Sequence, residues 1–173
     1  MLPARLRTFF FPTCLVAFTA LVTAFKLQDA LGLLPCLLCV TQRALLAGYV
    51  LVCLSAVLHG PALEGQRRYA QLALGFALGG AAVAARHVWL QGVAADDLVC
   101  PVAIDHNAGQ YWNELARQLF SGAPDCNALT WSFMDLTLPE WSLMAFVLLA
   151  AFALGHLLAG RLHALLTHDL KQR

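Results

Sequence analysis

Apolar residues gather along this chain into four long stretches, at residues 9–25, 40–58, 69–90 and 142–159. A helix needs roughly 20 residues to cross about 30 Å of hydrocarbon, and each stretch is near that length. The pattern predicts an all-α membrane protein, a four-transmembrane-helix bundle formed by a single domain over residues 1–173. The first stretch is the shortest, but Arg7 and Lys26 at its ends can reach the headgroups along their own methylene stems. It also resembles a secretory signal, with Arg5 and Arg7 ahead of an apolar core and Val22-Thr23-Ala24 as a weak cleavage site. Its core exceeds the usual ~7–15 residues, so it is read as a retained span.

Composition supports the membrane reading: 60% of residues are hydrophobic and 12% charged, against roughly 45–50% and about 25% in soluble domains. The net charge of +1 points to no nucleic-acid partner. Its distribution is more informative, because Lys and Arg in short loops stay on the cytoplasmic side. Arg5 and Arg7, Arg67 and Arg68, and Arg161, Lys171 and Arg173 place both termini and the middle loop inside. Residues 91–141 carry seven acidic side chains against Arg117 alone. That long loop and the shorter one at 26–39 therefore face outward, so Cys36, Cys39, Cys100 and Cys126 share one side. In a bacterium it is the periplasmic side of the inner membrane, where disulfides persist.

The long outer loop has structure of its own. Tyr111, Leu115 and Leu119, flanked by Trp112 and Phe120, form a short apolar face at helical spacing, suited to a helix on the membrane surface or packed within the loop. Ser121 to Asp125, just before Cys126, is turn chemistry and implies a mobile strand of chain. Thr137, Pro139 and Glu140 suit the start of the fourth span as cap, first-turn proline and capping-box acid. Trp131 and Trp141 fit an outer aromatic belt. Gly75 and Gly79 form a small-xxx-small pair that lets helices approach.

Chemistry is concentrated in the cysteines. Thiol exchange needs an accessible thiolate, and Cys39 falls at the amino-terminal end of the second span, where the helix dipole favours negative charge. Arg43 is one turn further along the same face. Cys36 and Cys39 read as a redox pair or as a static clasp, and the small ring favours redox work because the entropic benefit of a crosslink grows with loop length. A zinc site from the four cysteines fits poorly. Zinc ribbons pair two CxxC motifs, whereas 25 residues separate Cys100 from Cys126. Cys100 and Cys126 read as a structural disulfide, worth about 3 kcal/mol under the entropy model, or as an exchanging pair. The loose segment before Cys126 favours exchange. Cys14 and Cys53 lie inside spans and read as small apolar residues.

A charge at the depth of Arg43 must find a partner or water. Arg86 and His87, at the outer end of the third span, are expected at the same level, although His87 also reads as an ordinary interfacial residue. Donors gathered there suit a membrane-soluble acceptor with carbonyl oxygens, a description that quinones meet.

Taken together, Cys36-Leu37-Leu38-Cys39 followed by Gln42-Arg43, His87 ahead of Cys100, and Cys126 leading into Trp131 and Pro139-Glu140-Trp141 resemble the DsbB family of bacterial inner-membrane proteins. A DsbA–DsbB–quinone relay is what keeps bacterial periplasms oxidising. The resemblance implies a quinone-dependent thiol oxidase, needed for disulfide formation in periplasmic proteins, whose cofactor is ubiquinone or menaquinone. A reduced DsbA-like partner would attack Cys100, Cys126 would exchange with Cys36–Cys39, and electrons would leave through Cys39 to the membrane quinone pool. It also implies that Arg43 stabilises the Cys39 thiolate and, with His87, binds the quinone. Gln42 stands where some relatives carry an acid, which leaves the role of that position open. Vitamin K epoxide reductases also join CxxC to a four-helix bundle but place the motif near the last span. A disulfide-stapled membrane scaffold is the non-enzymatic alternative.

Overall fold

A computed structural model describes residues 2–31, 37–91, 112–113, 116–117 and 132–172. Four long helices carry the fold: α1 (Leu2–Leu31), α2 (Leu37–His59), α3 (Leu63–Gln91) and α4 (Leu138–Gln172). All four are long and apolar enough to cross a membrane, and the expected all-α bundle is the observed architecture. The helices run past the apolar stretches. α1 continues through Lys26 to Leu31 and α2 begins at Leu37, so the expected outer segment at 26–39 is largely helical. Polar residues at helix ends keep their backbone hydrogen bonds while their side chains reach the headgroups.

Contacts at the two ends establish an up-and-down bundle. At one end, Gln42 of α2 meets His87 of α3 and Ser142 of α4. At the other, His59 of α2 meets Tyr69 of α3, and Arg67 reaches the Gly160 carbonyl of α4. α2 stops at Gly60, whose φ of 53° is the left-handed conformation that suits glycine just past a helix end.

The interior is built from small residues: Ala56, Ala70, Ala73, Ala77, Ala84 and Ala150 are buried around Tyr49, Phe10 and Phe146. Large apolar side chains such as Phe11, Leu51, Leu58, Leu78 and Phe152 point outward. Lipid offers no hydrophobic penalty for that arrangement, and close backbone approach supplies the packing energy. The tightest approaches are not at the expected glycines. Among the described glycines, a Cβ on Gly80 would run into the Phe146 ring and one on Gly48 would meet Phe76 at 2.5 Å, whereas Gly75 faces open space. α1 packs mainly on α2 and leaves an apolar cleft of about 410 Å³ against α4, lined by Pro12, Val16, Trp141, Met144, Leu148 and Phe152.

A small hairpin leads into α4, pairing β1 (Ser132–Phe133) with β2 (Leu136–Thr137). Its turn residues, Met134 and Asp135, have φ of 53° and 61°, as a two-residue turn matched to strand twist requires. The Glu140 carboxylate then accepts from the Thr137 backbone N–H at 2.6 Å, the expected capping-box contact. The Thr137 hydroxyl, 3.0 Å from Gln91 Oε1, ties the start of α4 to the end of α3.

Between Gln91 and Ser132, the described residues are Trp112, Asn113, Ala116 and Arg117; they are helical and exposed, within the expected surface helix. Trp89 and Trp141 lie at the same end of the bundle and face outward.

Candidate functional site

The described part of the site lies where α2 begins, α3 ends and α4 begins. Cys39 is the third residue of α2 and is half-buried. The first four N–H groups of a helix have no intrahelical acceptor and carry its positive dipole end, and this thiol stands at that end. Thr41 returns its hydroxyl to the Leu37 carbonyl at 2.9 Å. Cys36, Cys100 and Cys126 lie outside the described residues.

Arg43 follows Cys39 by one turn and meets α1. Its Nη1 donates to Gln28 Oε1, its Nη2 donates to the Ala24 carbonyl at 3.3 Å, and the guanidinium lies 5.0 Å from the centroid of the Phe25 ring. The charge is thus partnered inside the bundle by an amide, a carbonyl and an aromatic face. Two of its five N–H donors are spent on these bonds, and the planar fork presents the others to further acceptors.

His87 is fully buried. Its Nδ1 lies 3.2 Å from Gln42 Nε2, and Gln42 Oε1 accepts the Ser142 hydroxyl at 2.7 Å. Ser142 also lies 2.9 Å from the Pro139 carbonyl. One polar chain therefore joins α2, α3 and α4 through the apolar interior. The contacts of Arg43 run to α1, while those of His87 run to α2 and α4. Adjacent residues on a helix point about 100° apart at 3.6 residues per turn, which is how Gln42 and Arg43 serve these two sides. Arg86, beside His87, is half-buried at the same level. Cys53 is fully buried in the core, and the Cys14 thiol lies 4.0 Å from the Val50 carbonyl. Both cysteines sit far from this end of α2.

Residues 6–155 match the family model for disulfide bond formation protein DsbB. The chain belongs to the DsbB family. It is 59% identical over 165 residues to disulfide bond formation protein B 2 of Pseudomonas putida, covering 95% of this chain and 98% of that protein. Disulfide bond formation protein B 2 of Pseudomonas entomophila is 48% identical over 158 residues, covering 91% and 94%. Disulfide bond formation protein B 1 of Pseudomonas aeruginosa is 40% identical over 146 residues, covering 81% and 90%. Membership of the DsbB family, together with four candidate spans, makes this a multi-pass membrane protein of disulfide bond formation.

Gln42 and Ser142 are the site residues that sequence reasoning underrated. A signal for them was present: polar side chains near the same ends of otherwise apolar spans must be paired with one another or face a cavity.

Proposed function

We propose that this DsbB-family protein is a quinone-dependent thiol oxidase of the bacterial inner membrane, which reoxidises a DsbA-like dithiol partner on the periplasmic side. The reading is carried by one juxtaposition: Cys39 in the first turn of α2, with Arg43 one turn on and the buried His87 at the same end of the bundle. That donor set suits the carbonyl oxygens of ubiquinone or menaquinone, and the α1–α4 cleft, which runs from Trp141 inward to Phe152 and Pro12, offers an apolar bed for a prenyl tail. A quinone bound there supplies a sink for two electrons and two protons.

The chain's own residues account for the rest. A thiolate of the DsbA-like partner attacks Cys100, releasing Cys126 as thiolate and leaving a mixed disulfide. The partner's second thiol resolves that bond, so the partner leaves oxidised and Cys100 reduced. Cys126 and Cys100 then reduce the Cys36–Cys39 disulfide by the same exchange, regenerating their own bond. Each exchange breaks one S–S bond and forms one. Cys39, in its dithiol form, is favoured as thiolate by the amino end of α2 and the nearby Arg43 charge. Arg43 and His87 would hold the acceptor oxygens.

Purified protein given a reduced DsbA-like protein and a quinone is expected to form quinol, and Cys36→Ser or Cys39→Ser to abolish that activity. Full activity in either variant overturns the proposal.

A further inference from the structure

The chain Ser142–Gln42–His87 has a direction. A serine hydroxyl donates one hydrogen, a primary amide has donors only on nitrogen, and a neutral imidazole has one bare and one protonated nitrogen. The shortest contact is Ser142 Oγ to Gln42 Oε1, 2.7 Å, against 2.9 Å to the alternative acceptor on Pro139. With the hydroxyl on Oε1, the Gln42 NH₂ faces His87 Nδ1 at 3.2 Å. In this orientation the NH₂ cannot accept, so Nδ1 is the bare nitrogen.

We infer that Gln42 is a positioning residue that holds His87 in the Nε2–H tautomer, with Ser142 fixing the orientation of the amide. The inference rests on the reading of His87 as a quinone-side donor, and it says which atom donates: the Nε2–H. A proton on Nδ1 would meet the amide hydrogens and forfeit the bond. Gln42 is itself buried, 7% exposed, so water offers that proton little alternative. A glutamate at this position, differing by one heavy atom, presents only acceptors and would draw the proton onto Nδ1. The choice of amide over acid at position 42 therefore sets which face of the imidazole is the donor.

The test is ¹⁵N spectroscopy of the full chain in nanodiscs with ring-labelled histidine, the His87 signals being assigned by their loss in His87→Asn. Nδ1 is expected in the unprotonated range and Nε2 in the protonated range, and Gln42→Glu is expected to move Nδ1 into the protonated range. A protonated Nδ1 in the unsubstituted protein, or His87 signals unmoved by Gln42→Glu, overturns the inference. If Gln42→Glu fails to fold, the spectrum of the unsubstituted protein still decides. Adding decylubiquinone is expected to shift Nε2 and leave Nδ1 in place. An Nε2 that does not respond overturns the quinone-side reading of His87 while the tautomer assignment stands.

Discussion

Arg43 shows how a single charged side chain is made tolerable and useful in a lipid-facing bundle. Its fork is anchored to α1 through Gln28 and the Ala24 carbonyl, with the Phe25 ring alongside. Lysine would keep the charge but not the planar two-point hold. Arg43→Lys is therefore expected to raise the quinone KM about tenfold, the loss of one charge-assisted hydrogen bond of about 1.5 kcal/mol, as measured by quinone titration at saturating partner. An unchanged KM removes Arg43 from the binding site. The position of Arg43 relative to Cys39 was legible in the sequence, since four residues on a helix define one face. Its neighbours on α1 were not, because hydrophobicity alone does not say which way α1 is rotated. Gln42 was harder still: its meaning depends on Ser142, 100 residues away, and only the assembled bundle brings the two within 2.7 Å.

The helices themselves were largely legible, because length and apolar content fix what can span a bilayer. Their ends were less so: charged residues such as Lys26 and Asp29 look like loop but are accommodated within α1. The packing contacts were misplaced as well. Gly75 and Gly79 carry the recognisable spacing, yet Gly80 holds the closest approach, because Phe146 of α4 leans on it. Gly80→Ala is expected to cost about 1–3 kcal/mol by overpacking, whereas Gly75→Ala, with nothing within 4 Å, is expected to stay within about 0.5 kcal/mol. Thermal unfolding in detergent compares the two, and equal effects would contradict the packing described. Glu140→Ala removes the acceptor of the Thr137 N–H and is expected to cost about 1 kcal/mol, the usual worth of a helix cap. The hairpin before α4 escaped the sequence reading, since Met134 and Asp135 are not the Asn-Gly or Asp-Gly pair that announces such a turn.

For the molecule as a whole, the polar groups of three helices and the cation held by α1 collect at one end of the bundle, the end at which α2 opens with Cys39. The proposal assigns Cys36 and Cys39 to the quinone and Cys100 and Cys126 to the partner. The proposed direction of flow predicts that a reduced DsbA-like partner whose second cysteine is replaced by alanine is trapped by the oxidised protein as a mixed disulfide through Cys100, seen as a reducible adduct on electrophoresis and absent in Cys100→Ala. The central claim is that thiol electrons leave this protein into quinone. Its most direct test is the stoichiometry of quinol formation by the purified chain given a known amount of reduced DsbA-like protein. One quinol for each dithiol oxidised is the result expected, and partner oxidation without quinol, or none at all, would contradict it.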